Sequence, residues 1–461
     1  MRIKLLLIAV FLNQLAWLTF VPLWQTPDEQ AHFGEVALYA ETGGPKKIGN
    51  NLNKEIWLTE KILGTDRDEF GNNKFTYHPE YKTPYSSVAE QEVINLSVDS
   101  RTEFIKKEAT GYPPLYYFLT GIVYKFFYNN SLFDRVFAVR IFTVLTLVAL
   151  AGVAYLIGGE VLAILVGFMP MLSFVHAGVT SDALFNLLVA LFILFCLKRR
   201  WVFIILIFIL AYFTKPQVYI LSFIVLPLLW RNKKLILIFV LLFLPLIKFI
   251  HLDRILIPET TGLKFSDLFS SSFVDYLKFT FNHTYQEVLP WFWGVFRWLS
   301  LGLPEVLRKI TNWLTIISFI GFGVYLIKHR NKKILFMAYA AVVYFLAITL
   351  FDFAFWQTHG YSFGIQGRYF FPVIIPFMVI FLVGLKPLGR LLPVGMIIFN
   401  IITFFWVMLS YYSIDEFFLQ ASQYKPLWLK FPTNLIILGL YLICSLLSLL
   451  FIMRKKSLKV L

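Results

Sequence analysis

Apolar runs of roughly 17–22 residues recur along this chain, each long enough to cross a hydrocarbon core of about 30 Å. Lipid offers the backbone no hydrogen-bond partners, so runs of this length and composition span as α-helices. With 58% hydrophobic and 18% aromatic residues and a mean hydropathy of +0.70, the chain does not read as a soluble domain. The expected fold class is all-α, a polytopic membrane protein of about twelve transmembrane helices.

The net charge of +15 does not point to nucleic acid, because the basic residues cluster in short connections between the apolar runs. By the positive-inside rule, Arg2/Lys4, Lys198-Arg199-Arg200, Arg231/Lys233/Lys234, Lys328 to Lys333, Lys386/Arg390 and Arg454-Lys455-Lys456 are cytoplasmic. Spans over 4–24, 136–157, 160–176, 182–198, 201–214, 217–230, 234–250, 309–328, 333–351, 369–385, 391–409 and 433–452 satisfy this, with both termini inside. The turn Gly158-Gly159-Glu160 carries no basic residue to fix its side. Counting 113–127 as a further span would invert the later clusters. It therefore reads as a helix at or dipping into the outer interface, with Tyr116, Tyr117, Tyr124 and Lys125 at headgroup level. The first apolar segment lacks a small-residue cleavage site and reads as a retained helix. Cys196 and Cys444 both sit in apolar runs and suggest neither a metal site nor a disulfide.

Two outer loops are long, 25–112 and 251–308, and the second ends in the aromatic cluster Trp291 to Trp298. Long structureless loops are uncommon unless functional or disordered. This gives three regions: a catalytic membrane module over 1–250 that includes loop 25–112, with juxtamembrane helices; an aromatic-rich loop over 251–308; and a C-terminal membrane module over 309–461. No internal repeat of the inverted-symmetry transporter kind is visible.

Chemistry concentrates where the first span ends, in Thr26-Pro27-Asp28-Glu29-Gln30-Ala31-His32-Phe33. Acids at a membrane boundary usually face a wet, protein-lined cavity. Thr26-x-x-Glu29 fits a capping box with Pro27 at the first helical position, which by itself is a structural explanation. His32, four residues after Asp28 and on the same helix face, is not needed by a cap. The reading is that Glu29 holds the turn while Asp28 works as a base. Glu29 and His32 are also candidate ligands for a divalent cation, Mg or Mn, though no third ligand is evident. At other outer helix ends, Thr180 or Ser181 can cap a helix, leaving Asp182 without a local role. Lys215 lies at an outer turn against the positive-inside bias, either snorkelling or binding phosphate. Arg140 and Arg368 begin two further spans. Three cations facing two acids suit a substrate with a phosphate and a reacting hydroxyl. Within the aromatic cluster, most side chains read as interface anchors, with Trp293 a candidate substrate contact.

Taken in order, the acidic pair, Tyr112-Pro113-Pro114-Leu115-Tyr116-Tyr117, Arg140, Ser181-Asp182-Ala183-Leu184 and Lys215 resemble the GT-C superfamily of integral-membrane glycosyltransferases. Pro27-Asp28-Glu29-x-x-His32-Phe33, Phe292-Trp293-Gly294-x-Phe296-x-Trp298 and Gln366-Gly367-Arg368-Tyr369-x-x-Pro372 look like a bacterial family of predicted membrane proteins within that group. The resemblance implies a transferase that moves a sugar from a polyprenyl-phosphate carrier, on the outside of the cell membrane, to a glycan, lipid-linked glycan or protein acceptor. It makes Asp28 the base, Glu29 its neighbour, Asp182 a second acid, and Lys215 and Arg368 phosphate ligands. Tyr112 stands where some relatives place lysine or histidine, so Arg140 or a metal would complete the phosphate grip. The rival from another class is a transporter or flippase for a lipid-linked sugar, which would relocate the carrier without consuming it.

Overall fold

The computed structural model describes residues 3–44, 49–67, 73–75, 78, 80–108, 112–229 and 265–454. Among them, eight helices are long and apolar enough to cross a membrane: Ile3–Phe20, Leu132–Gly167, Ser181–Lys198, Glu305–Lys328, Lys332–His359, Gly367–Gly384, Leu391–Tyr411 and Thr433–Arg454. The described chain is mostly helical, with two short two-stranded ribbons.

The difference from twelve spans has local causes. The segments expected over 136–157 and 160–176 form the 36-residue helix Leu132–Gly167 and the short helix Pro170–His176. Gly159 interrupts the long helix at φ 77° and ψ −162°, a conformation essentially reserved for glycine. The chain doubles back there, since a Cβ on Gly167 would lie 3.4 Å from the Cβ of Ala151. The segments expected over 201–214 and 217–230 shorten to Trp201–Tyr212 and Tyr219–Leu229, of 12 and 11 residues, each about 16–18 Å long. The span expected over 234–250 and the cluster Arg231/Lys233/Lys234 lie outside the described residues.

Ile3–Phe20 packs against both Leu132–Gly167 and Thr433–Arg454. Leu6, Val10, Trp17 and Phe20 are buried along it. Of its two buried mid-helix amides, Asn13 and Gln14, the Asn13 side chain donates to Gly167 O (3.1 Å) and Ser173 Oγ (3.2 Å) and so ties the helix into the bundle. The helices Glu305–Lys328 and Thr433–Arg454 leave large apolar side chains such as Ile310, Trp313, Ile320, Leu440 and Leu446 exposed, as lipid-facing helices do.

The described residues of the 25–112 segment are folded and include helices, as expected for this loop. It carries the helices Glu29–Thr42, Lys54–Leu63 and Ser87–Ile94, and an antiparallel ribbon pairing Leu52–Asn53 with Phe104–Lys106. Asn53 Oδ1 and Ser86 Oγ accept from Ile56 N and Ala89 N and so start two of these helices. The apolar stretch 113–127 becomes the 12-residue helix Leu115–Phe126, about 18 Å long. It packs on Glu29–Thr42 and buries Tyr116, Tyr117, Thr120 and Tyr124. The chain after Leu391–Tyr411 returns to this same end: Tyr412 OH donates to Phe20 O (2.6 Å), Tyr424 N to Glu90 Oε1 (2.9 Å) and Lys425 Nζ to Val21 O (3.0 Å). The acidic motif is therefore held between the end of the first helix and the C-terminal part of the chain.

Candidate functional site

The capping box expected at Thr26–Glu29 does not form. The helix begins at Glu29 with Asp28 at its N-cap, and Asp28 makes no side-chain capping bond. Thr26 Oγ1 finds no partner in the box either. Glu29 is instead engaged across the bundle. Its Oε1 accepts from Arg140 Nε (2.7 Å) and Val179 N (3.0 Å), and its Oε2 from Arg140 Nη2 (2.6 Å) and Trp24 N (3.1 Å). Arg140 uses its remaining donors on Val21 O and Pro22 O, both at 2.9 Å. Both side chains are wholly buried. A buried ion pair persists only when its lone pairs and protons are satisfied, and here both side chains are spent on one another and on nearby backbone groups. This corrects three expectations: Glu29 does not stand among the reacting groups, Arg140 is not free to meet a phosphate, and Glu29 with His32 does not form a pair of metal ligands.

Asp28 has φ 62° and ψ 13°, in the left-handed region that few non-glycine residues adopt. That backbone turns its carboxylate away from the helix start. Its Oδ2 lies 3.0 Å from Arg368 Nη2 and its Oδ1 3.4 Å from Arg67 Nη2. Burial favours the neutral acid, yet the two guanidinium charges outweigh it and hold the Asp28 carboxyl below its ordinary range. A second pair lies nearby. Thr180 Oγ1 accepts from Asp182 N (3.2 Å) and caps the Ser181–Lys198 helix, which frees the Asp182 carboxylate to meet Lys215 Nζ at 2.5 Å. Burial disfavours the Lys215 charge, but Asp182 more than compensates, so its pKa is raised.

The carboxylates are partly exposed and the cations that pair with them are buried. Side-chain exposure is 36% for Asp28 and 28% for Asp182, against 6% for Arg67 and Lys215 and 10% for Arg368. His32 sits between the two pairs. Its Nδ1 is 2.8 Å from Tyr117 OH, and its ring stacks on Tyr112 and Tyr117. Burial, then the neighbouring Lys215 charge, push its pKa down to about 4, so the imidazole is neutral near pH 7. Tyr112 is a platform, with Lys215 Nζ 4.4 Å from its ring centroid.

Two members of the aromatic and basic sets exchange roles. Trp293, a candidate substrate contact by sequence, is buried in the bundle, with Nε1 donating to Thr315 Oγ1 (2.9 Å) and its ring against Phe377 and Phe381. Trp298 is the member that reaches the site, its ring 4.5 Å from the Arg67 guanidinium carbon. Arg67 itself had no signal in the sequence, because it lies in an irregular segment with no periodicity. It links Asp28 to Glu108, whose Oε2 is 3.5 Å from Arg67 Nη1. Asp28, Asp182, Lys215, Arg368, His32 and Tyr112 are thus brought together, Arg67 and Trp298 join them, and Glu29, Arg140 and Trp293 form the frame behind. The donor set does not fit a divalent cation: both open carboxylates already hold cationic partners, and the described residues contain no group of three His, Cys, Asp or Glu suited to a metal.

A family model for a predicted membrane protein, DUF2142, matches residues 11–377. The chain belongs to this family. No match is found among curated proteins or among solved structures. The family's span includes the paired charges Asp28, Arg67, Asp182, Lys215 and Arg368. The returning segment with Tyr412, Tyr424 and Lys425 lies beyond it.

Proposed function

We propose that this protein is an inverting membrane glycosyltransferase of the GT-C type, taking a sugar from a polyprenyl-phosphate-linked donor on the outer face of the cell membrane. The observation that carries this reading is the pair of partly open carboxylates, Asp28 and Asp182, each backed by buried cations at one end of the bundle. A base for a hydroxyl and a bed of positive charge for a departing phosphate are the two groups such a transfer requires. With the N-terminus inside, as the basic residues Arg2 and Lys4 suggest, the first span would put this end of the bundle outside.

In the proposed reaction Asp28 takes the proton of an acceptor hydroxyl. The hydroxyl oxygen attacks the anomeric carbon from the face opposite the phosphate. The bond from that carbon to the phosphate oxygen breaks, its electron pair stays on the phosphate, and the configuration inverts. Lys215 and Arg368 stabilise the departing charge. Before donor arrives Arg368 is held by Asp28, so a donor phosphate that draws Arg368 away also releases the base. Asp182 keeps Lys215 charged and oriented, and neutral His32 adds no charge that would compete for the phosphate.

The test is consumption of donor by purified protein in nanodiscs, offered a panel of polyprenyl-phosphate sugars with free polyprenyl phosphate as the readout. Asp28→Asn is expected to fold, to bind donor within a few-fold of wild type and to lose about 10²–10⁴ of turnover. Wild-type turnover in that variant would remove Asp28 as the base. Donor binding and movement across the bilayer without consumption would replace the transferase reading with a flippase.

A further inference from the structure

Asp352 stands where neither helix nor lipid favours an acid. It lies two turns before the C-terminal end of Lys332–His359, the negative end of that helix's dipole, inside an otherwise apolar span, and it is 1% exposed. Its partners explain it. Ser362 Oγ lies 3.0 and 2.9 Å from its two oxygens, Phe363 N donates to Oδ1 at 2.7 Å, and Tyr276 OH is 3.0 Å from Oδ2. Ser362 Oγ in turn accepts from Gly364 N (3.0 Å), and His283 Nε2 is 2.9 Å from Ile365 O. Two residues further on, Gly367 lies so close to Leu289–Trp293 that a Cβ there would collide with Phe292 N. The next residue is Arg368, paired with Asp28.

We propose that Asp352 is a positioning residue, which ties down residues 360–366 so that the Arg368 guanidinium is delivered to Asp28 and, in turn, to the phosphate of a donor. The chain between the tie at Ile365 and Arg368 is too short to absorb slack, and its one small residue is already pressed against a neighbouring helix. A carboxylate that gathers a backbone N–H and a hydroxyl from one short loop fixes that loop's shape more firmly than apolar packing would. The role assigned to Arg368 rests on the transferase reading; the placement of Arg368 by Asp352 does not.

The experiment uses full-length protein in nanodiscs and follows arginine modification by phenylglyoxal, site by site, by peptide mass spectrometry. In wild type both Arg368 and Arg140 are expected to react slowly. Asp352→Ala should raise the rate at Arg368 about tenfold or more and leave Arg140, the internal gauge of global loosening, unchanged. Asp352→Asn, which keeps acceptors for Phe363 N and Ser362, should restore most of the protection. An unchanged rate at Arg368, or a parallel rise at Arg140, overturns the proposal. With donor, Asp352→Ala should raise KM at least as much as it lowers kcat, and in an Arg368→Ala background it should add less than twofold; full additivity would also overturn it. Wild-type protein that consumes no donor would remove the transferase reading while the modification rates still decide the role of Asp352.

Discussion

Glu29→Gln would leave the Arg140 guanidinium facing a neutral amide in a place closed to water. Removing one partner of a satisfied buried ion pair costs about 3–5 kcal/mol, so this variant should show a markedly lower melting temperature in detergent. Lys425→Met makes the contrasting case. Burial, and Arg140 beside it, push the Lys425 pKa well down, and its acceptor Val21 O keeps a bond from Arg140 Nη1. Its removal should therefore be close to neutral in the same melt, and a loss as large as that of Glu29→Gln would show the buried ammonium to be structural. His32 gives a pH test. With its folded pKa at about 4, below the ordinary 6.5, the imidazole is neutral in the folded state. Its stabilising contribution is complete above pH 6.5 and is lost as pH falls from 6.5 towards 4. His32→Gln should flatten that limb of the melting temperature against pH, and an unchanged limb would point to another group.

At the scale of elements, what could be read from sequence was whatever depends on neighbours a few residues away. Thr180 caps its helix as its position suggests, and Asp182, left without a local job, does find a distant partner. The same logic failed at Thr26–Glu29. The spacing of a capping box is identical whether or not a guanidinium 111 residues away takes the glutamate, and Arg140 does. Arg67 was invisible because its role depends on a loop that carries no period, and Trp298 stood out only as one member of the aromatic cluster. Asp352 did leave a trace, an acid in an apolar run, but sequence alone gives no view of the loop it ties. The Gly159 reversal belongs to this scale too. Its φ and ψ exclude a side chain at a cost of about 1–3 kcal/mol. Gly159→Ala should lower the melting temperature and leave donor affinity unchanged, since the reversal lies at the far end of both arms from Thr146 and His176; a loss of affinity would mean that the arms are coupled along their length.

For the molecule as a whole, the membrane class was legible, while eight of the twelve expected spans are long enough to cross among the described residues. Hydropathy marks how much apolar chain is present, but helix length depends on where glycine and proline interrupt it, as at Gly159 and before Pro170 and Pro216. The site draws on both ends of the family's span, and the end of the first helix is further bonded by Tyr412, beyond that span.

The distance along the chain between Asp28 and Arg368, 340 residues, also sets a timetable. At about 5–20 residues per second of synthesis, Asp28 emerges about 20–70 s before Arg368, the nearer of its two arginine partners. Throughout that interval the nascent protein holds an acid at the membrane boundary without Arg368 beside it. Water or the insertion machinery must shelter that charge until the last third of the chain arrives, which makes assembly of this protein sensitive to anything that slows its C-terminal half.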